Sequence, residues 1–236
     1  MTSGRPAGRQ AGDGPPGRAA FTPAERRVLA RVRTPSAVQQ YLNALPYNTE
    51  PAPRGATLRS FRGVVRQHTA HCLEAAITAA VILEHHGWPP LVLSFESVDE
   101  LDHVIFVYQH RGRWGSIARS RDPGLHGRRA VFRTPRALAL SYVDPYVDYT
   151  GRITGYTVAD LRGVGNYDWR LSEGNVWKVE RMLLDLPHRP LHTSDRRIDK
   201  LRQRYVAYRK EFQRKPVYYR RRDRWSPLPA EFKKRG

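Results

Sequence analysis

Residues 69–86 would form a helix that is apolar on nearly every side, and this stretch constrains the fold more than any other part of the chain. A helix that is apolar on every side has to be covered by other elements. Its longest apolar run, Leu73 to Leu83, is interrupted by Glu74 and is about half of the roughly 20 residues that a membrane span needs. The stretch therefore predicts a buried central helix, which Gly87 and the residues after it should end, and no membrane span.

A different pattern follows this helix. Three short segments are rich in β-branched and aromatic residues, and the last two are separated by a connection of hairpin length. A fourth segment of the same kind comes later in the chain. The sequence therefore predicts strands at 91–95, 103–108, 113–118 and 152–158, which together form an antiparallel sheet.

Three Thr-Pro pairs indicate further helices. Threonine is a favoured N-cap residue, and proline at the first helical position loses no hydrogen bond. The pairs and two amphipathic stretches predict helices at 23–32, 35–45, 135–143, 175–186 and 195–212. With the central helix and the strands, these elements indicate an α+β fold.

Length and composition indicate one main domain. A chain of 236 residues with 40% hydrophobic content can bury one substantial core. We expect a disordered basic leader at 1–21, a domain at 22–187, and a basic helix and tail at 188–236. Residues 1–20 lack the apolar region of a signal peptide, and a single cysteine cannot form an intrachain disulfide, so a cytoplasmic location is expected.

The net charge of +19 belongs mainly to the ends of the chain. Residues 1–35 carry 7 basic and 2 acidic groups, residues 36–187 carry 17 and 15, and residues 188–236 carry 17 and 5. Basic arms on a nearly neutral domain are typical of segments that bind nucleic acid, anionic lipid or an acidic protein. Basic tails are also commonly only solvated, so both interpretations stay open.

The tail combines positive charge with aromatic rings. Its arginines could meet phosphates and its rings could stack on bases, which would place nucleic acid or an acidic partner on Arg220, Arg221, Arg222, Arg224 and Trp225. The alternative is a tail that packs on its own domain. No fold-level signature of a nucleic-acid-binding module accompanies these residues.

Cys72, the only cysteine, falls in the first turn of the predicted central helix. Unpaired backbone N–H groups and the helix dipole stabilise a thiolate there. If Thr69 caps the helix, Cys72 is its third residue, and its own N–H could help to hold an oxyanion. The alternative is that Cys72 is a small buried hydrophobe in the core.

A nucleophilic cysteine needs a base, and His103 is the best candidate because it opens a predicted strand that can pack against the helix. His68 and His71 share the helix end with Cys72 and are expected to face the sulfur poorly. His85 and His86 lie roughly 20 Å away along the helix. A zinc site at His68, His71 and Cys72 lacks a second ligand cluster of matching spacing, so no metal is expected.

Cysteine at the start of a buried helix, followed by DHVIFVYQHRGRWGSIARSRDPG, resembles the transglutaminase-like superfamily of papain-like cysteine enzymes. The resemblance covers about residues 60–125. It implies a Cys-His-Asp triad on one helix and an antiparallel sheet, with Cys72 as nucleophile, His103 as base and Asp122 as the orienting carboxylate.

The chain departs from the family pattern at two places. One is the tripeptide that begins at His103, which is His103-Val104-Ile105 where the family usually has His-Ala-Trp. The family usually places its Asp about four residues after the tryptophan, where this chain has Ala118. Ser120 or a backbone carbonyl is therefore an alternative orienting group for His103, and an incomplete triad is a further alternative. Papain-like folds also use an amide donor a few residues before the cysteine, which makes Gln67 the oxyanion candidate, with an ordinary loop glutamine as the alternative.

Two functions follow. The first is a cysteine-dependent hydrolase or acyltransferase that acts on a peptide or amide substrate and requires no cofactor or metal. The second is a catalytically inactive transglutaminase-like binding module whose basic ends contact nucleic acid or an acidic partner.

Overall fold

The computed structural model describes residues 14–50, 52 and 55–232, and these form an α+β fold, as the sequence predicts. Residues 1–13, the larger part of the expected leader, lie outside the described residues. Phe21 falls within the expected leader, but it is 1% exposed and belongs to the core. The packed part of the chain therefore begins before residue 22.

Seven α-helices occur within the described ranges: α1 (Pro23–Arg31), α2 (Pro35–Ala44), α3 (Phe61–Gln67), α4 (Cys72–His85), α5 (Pro135–Tyr146), α6 (Trp177–Asp185) and α7 (Asp195–Phe212). The three Thr-Pro starts are confirmed, because Thr22, Thr34 and Thr134 each accept a hydrogen bond from a backbone N–H of the first helical turn. None of the helices described is both long and apolar enough to cross a membrane.

The strands form one antiparallel sheet in the order β4-β3-β2-β1-β5-β6. They are β1 (Leu91–Ser97), β2 (Val104–His110), β3 (Arg113–Ile117), β4 (Arg128–Phe132), β5 (Ile153–Asp160) and β6 (Arg189–Pro190). The predicted hairpin joins β2 to β3, and its turn has positive φ at Arg111 and Gly112.

Both faces of the sheet are covered by helices. Val104 and Phe106 of β2 join the core formed with α1 to α4, whereas Ile105 and Val107 join the core formed with α5. Side chains of a strand alternate between the two faces, so a strand buried on both sides is apolar almost throughout. Because α4 packs on β2, the first turn of α4 lies near the start of β2, and this meeting point positions the site described below.

After α7 the chain returns across the domain and packs on it. Ser226 N–H donates to the Gly127 carbonyl at 3.0 Å, and the Arg128 guanidinium lies 4.6 Å from the centre of the Trp225 ring. Trp225 is only 6% exposed. The prediction that Trp225 stacks on bases is therefore wrong for the packed tail, because its ring is covered by the domain.

The arginines predicted to contact nucleic acid or an acidic partner have a different environment. Arg220, Arg221 and Arg222 are exposed, and Arg224 is half-buried. Their contact with such a partner stays a prediction.

Candidate active site

The N-terminal end of α4 and the start of β2 meet at a cleft of about 520 Å³. Cys72 and His103 both line it, as do Tyr47, His71 and Asp122. The structure therefore brings three of the sequence-predicted residues to one cavity, although their contacts within it differ.

Cys72 is the first residue of α4, and His71 is the N-cap residue. The expectation that Thr69 caps the helix is wrong by two residues, because the His71 ring takes over the capping of the first turn. Cys72 is half-buried and lines the cleft. Its N–H is among the first-turn groups that have no partner within the helix.

Two imidazoles determine the state of the thiol. Burial alone raises the pKa of Cys72, but the neighbouring rings of His103 and His71 hold that pKa well below its usual range. The helix N-terminus acts in the same direction. The arrangement favours a thiolate at neutral pH.

The ring of His103 is held firmly just before β2. Its side chain is 4% exposed, it stacks on Phe95 with an interplanar angle of 5°, and its Nε2 lies 2.9 Å from the Leu125 carbonyl oxygen. A carbonyl only accepts hydrogen bonds, so Nε2 carries the proton of the neutral ring. The other nitrogen, Nδ1, is then left unprotonated for Cys72.

Asp122 supports this arrangement through its backbone. Its carbonyl accepts the Leu125 N–H at 3.1 Å and so closes the 3-10 turn (Pro123–Leu125) that presents the Leu125 carbonyl to His103. Its carboxylate forms an ion pair with Lys215. The group that bonds to Nε2 is thus a backbone carbonyl, one of the alternatives that the sequence left open, and not the Asp122 carboxylate.

Ser120, the other alternative, lies close by but bonds elsewhere. Its hydroxyl accepts the Asp122 N–H at 3.0 Å, and its carbonyl is 3.0 Å from Nε2 of His126. Ser120 therefore helps to shape the turn before Pro123 and does not contact the His103 ring through either bond.

The expectation that His71 is poorly placed to act on the sulfur is wrong, because His71 lines the cleft with Cys72 and its ring is one of the groups that lower the pKa of Cys72. Its Nε2 lies 2.9 Å from the Thr57 carbonyl, and its Nδ1 is 3.3 Å from the Leu73 nitrogen. Burial alone lowers the pKa of His71, but Cys72, Glu74 and the Thr57 carbonyl raise it to about 9. Nδ1 accepts the Leu73 N–H only when it carries no proton. His71 therefore caps the helix in that state, and it can donate to the Cys72 thiolate when Nδ1 is protonated.

A buried carboxylate holds this end of α4 in place. Glu74 is fully buried and accepts bonds of 2.7 Å from both Nε and Nη2 of Arg59, 3.0 Å from the His71 N–H, and 3.1 Å from the Thr57 hydroxyl. Burial raises the pKa of Glu74, but Arg59 and His71 lower it by a larger amount, so the net shift is downward. Glu74 thus ties the loop before α3 to the helix that carries Cys72.

Tyr47 is the site residue that the sequence did not indicate. A parallel bridge pairs it with Ala70, supported by a 3.2 Å bond from the Asn48 N–H to the Ala70 carbonyl. This pairing brings the Tyr47 hydroxyl close to the Cys72 backbone N–H. Burial raises the pKa of Tyr47 above its usual range, and the Cys72 N–H acts in the opposite direction. A lone tyrosine in a proline-rich loop gives no local signal of this contact.

Gln67, the predicted oxyanion donor, is placed elsewhere. It is the last residue of α3, its side chain is exposed, and it is not part of the cleft lining. The left-handed residue after it, His68 with φ of 55°, turns the chain before α4 begins. The side chain that meets the Cys72 N–H is that of Tyr47.

Within the residues that the structure describes, no group of three or more His, Cys, Asp or Glu side chains is arranged to hold a metal ion. His71 and Cys72 are neighbours in the cleft, whereas His68 is exposed outside it.

Neither protein-family models nor curated proteins gave a match to this sequence. Among solved structures, LapG of Legionella pneumophila is similar, with 12% identity and a TM-score of 0.37 over 70% of this chain and 88% of that one. An EGTA-treated form of the same protein gives 14% identity and a TM-score of 0.36 over 70% and 89%. Similarity at this level assigns neither a family nor an activity.

Proposed function

We propose that the chain is a transglutaminase-like, cysteine-dependent acyl-transfer enzyme that acts as a hydrolase or acyltransferase on amide or peptide substrates. The observation that carries the proposal is the Cys72 thiol, half-buried at an open cleft and within reach of the His103 and His71 rings, which lower its pKa. A cysteine buried only for packing would need neither imidazole.

The reaction begins with the Cys72 thiolate attacking the substrate carbonyl carbon, whose π electrons move to the oxygen. His103, protonated at Nδ1 by the thiol, gives that proton to the departing amine as the carbonyl reforms. The products of this first half of the reaction are an S-acyl enzyme and a free amine. Water or a second amine then attacks the acyl group, His103 takes its proton, and the Cys72 thiolate leaves.

The oxyanion of the tetrahedral intermediate would be held by the Cys72 N–H and the Tyr47 hydroxyl. In the resting site this N–H lies close to the Tyr47 oxygen. A substrate oxygen placed between the two groups would accept both the Cys72 N–H and the Tyr47 O–H. Two donors aimed at a developing charge in a partly dry cleft supply a large share of the catalysis in sites of this type.

His103 would be oriented by the Leu125 carbonyl, and Asp122 would act as a positioning residue through the turn that it closes. A neutral carbonyl fixes the tautomer as a carboxylate does, but it adds less charge stabilisation to the imidazolium. The Cys72 thiolate itself supplies the negative charge nearest to the imidazolium.

The test is the pH dependence of Cys72 alkylation by iodoacetamide, followed by intact mass. An active site of this kind keeps a high rate at pH 6, where an ordinary thiol of pKa about 8.5 is almost entirely protonated. His103→Ala should move the rate toward that of an ordinary thiol. If the wild-type chain alkylates at pH 6 no faster than glutathione, and His103→Ala changes nothing, the catalytic proposal fails and a binding module is the better explanation.

A further inference from the structure

The cleft that holds Cys72 has the opposite charge from the chain as a whole. The chain carries +19, yet the residues that line the cleft include seven carboxylates and only two lysine or arginine side chains. The carboxylates are those of Glu50, Asp99, Glu100, Asp102, Asp122, Asp148 and Glu180, and the bases are Arg121 and Lys215.

Several of these carboxylates have no cation beside them. Asp122 is paired with Lys215, but within the described part of the chain no ion pair involves Asp99, Glu100, Asp102 or Glu180. Charges more than about 8 Å apart are largely screened at physiological ionic strength. Cations that do not line the cleft therefore contribute little there. Lys215 is the one basic residue of the C-terminal segment in the described lining, and the carboxylates outnumber it and Arg121.

Exposed apolar side chains stand beside these carboxylates. Trp177 and Leu184 on α6 are 40% and 62% exposed, Leu101 after β1 is 64% exposed, and all three line the cleft. Glu180 lies one helical turn from both Trp177 and Leu184, so one face of α6 presents apolar surface and negative charge together. Long aliphatic stems that end in a cation, those of lysine and arginine, match such a surface.

We propose, on the basis of the acyl-transfer function above, that this cleft selects basic polypeptide substrates, with a lysine or arginine near the reactive carbonyl and an apolar residue beside it. The carboxylates on the Asp99–Asp102 loop and Glu180 would meet the cation, and Trp177, Leu184 and Leu101 would cover its stem and the apolar neighbour. A metal ion is a poorer occupant, because these carboxylates are not grouped as ligands in the described structure.

The test uses two peptide chloromethyl ketones that are identical except for a lysine or a glutamate next to the reactive residue. The second-order rate of Cys72 alkylation is measured for each on the full chain by intact mass. We expect the lysine reagent to react about tenfold faster at low salt, because several exposed charge contacts each contribute modestly, and the ratio to fall as salt is added. Because both reagents alkylate the same thiol, the ratio of their rates does not depend on the reactivity of that thiol.

The charge-reversal variant Glu100→Lys with Glu180→Lys should bring the ratio to one or below it. The matched control is Glu211→Lys, an exposed glutamate near the end of α7 that does not line the cleft, and it should keep the wild-type ratio. Loss of the preference in the control variant as well would show that net charge, and not the cleft, selects the reagent.

The outcomes separate this inference from the proposed function. Rapid iodoacetamide alkylation at pH 6 with equal rates for the two reagents would overturn the substrate class and leave the enzyme proposal standing. If Cys72 behaves as an ordinary thiol, equilibrium binding of the matching unreactive peptides to Cys72→Ser, measured by fluorescence anisotropy, decides the question. Preference for the lysine peptide supports a cation-selective cleft, and equal binding overturns it.

Discussion

The Nε2 atom of His103 lies 2.9 Å from the backbone carbonyl oxygen of Leu125. This bond gives the ring the tautomer that a base needs for Cys72, and a main-chain group supplies it. Because the carbonyl belongs to a turn closed by the Asp122 backbone, the orientation of His103 depends on the shape of that turn more than on any one side chain. A carboxylate at this position is therefore not required for the orientation.

Asp122→Asn should change acyl-transfer rates by no more than about fivefold, the factor that corresponds to about 1 kcal/mol. The substitution keeps the backbone of the turn and removes only a partly exposed ion pair with Lys215. His103→Ala should lower the rate by about 10²–10⁴-fold, since it removes the general base. Both are measured as kcat/KM on the same peptide, and a loss in Asp122→Asn as large as that in His103→Ala would restore Asp122 as the orienting carboxylate.

Tyr47→Phe should lower kcat by about 10²–10³-fold, which is the usual cost of one oxyanion donor. The ring and its contacts with the cleft are kept, and only the hydroxyl beside the Cys72 N–H is lost. Steady-state kinetics on an amide substrate measure the effect.

Tyr149→Phe is the control for Tyr47→Phe, because Tyr149 is 55% exposed and does not line the cleft. Its kinetics should match those of the unmodified chain. A Tyr47→Phe enzyme as active as this control would remove Tyr47 from the mechanism.

Glu74→Gln should lower the free energy of unfolding by about 3 kcal/mol or more, because it leaves the mostly buried Arg59 guanidinium without its counter-charge. Urea unfolding followed by circular dichroism measures the change. Glu173→Gln is the matched control, since Glu173 is 64% exposed and its ion pairs with Arg66 and, at 3.5 Å, with Arg62 should contribute less than about 1 kcal/mol. Equal effects for the two variants would contradict the anchoring role of Glu74.

The elements that could be predicted from the sequence are those with a strong local signal. The central helix, the Thr-Pro helices and the β2–β3 hairpin are all present, because capping residues and apolar runs act over a few neighbouring positions. Strand β4 was missed, since it begins with Arg128, a fully buried cation. The charge is accommodated by the carbonyls of His126 and Gly124, a few residues earlier, and by the rings of Tyr142 and Trp225, which are tertiary contacts.

The same distinction between local signals and tertiary contacts applies to the residues of the site. Cys72 and His103 could be selected because their residue types and their places at the start of a helix and a strand are visible in the sequence. The Leu125 carbonyl could not, because every residue carries one and only the turn decides which carbonyl faces His103. Tyr47 reaches the Cys72 N–H through a bridge to Ala70, a pairing between distant segments that neither segment encodes alone.

Acid should destabilise the fold through His126. Its ring is 1% exposed, its Nε2 bonds to the Ser120 carbonyl, and its Nδ1 is buried without a hydrogen-bond partner among the described residues. Burial, with added repulsion from Arg119, lowers the pKa of His126 to about 3. The unfolded chain protonates this ring below about pH 6.5 and the folded chain does not, so unfolding takes up a proton between about pH 6.5 and 3.

The contribution of His126 to the free energy of unfolding is therefore fully present above pH 6.5 and is lost as the pH falls, by up to about 1.4 kcal/mol per pH unit. Urea unfolding at pH 7, 6, 5 and 4.5 measures the slope. His126→Gln keeps a side-chain N–H for the Ser120 carbonyl and cannot titrate, so its slope should be shallower, whereas His110→Gln, at an exposed position, should keep the original slope. If His126→Gln and the unmodified chain lose stability in parallel, other groups control the acid sensitivity.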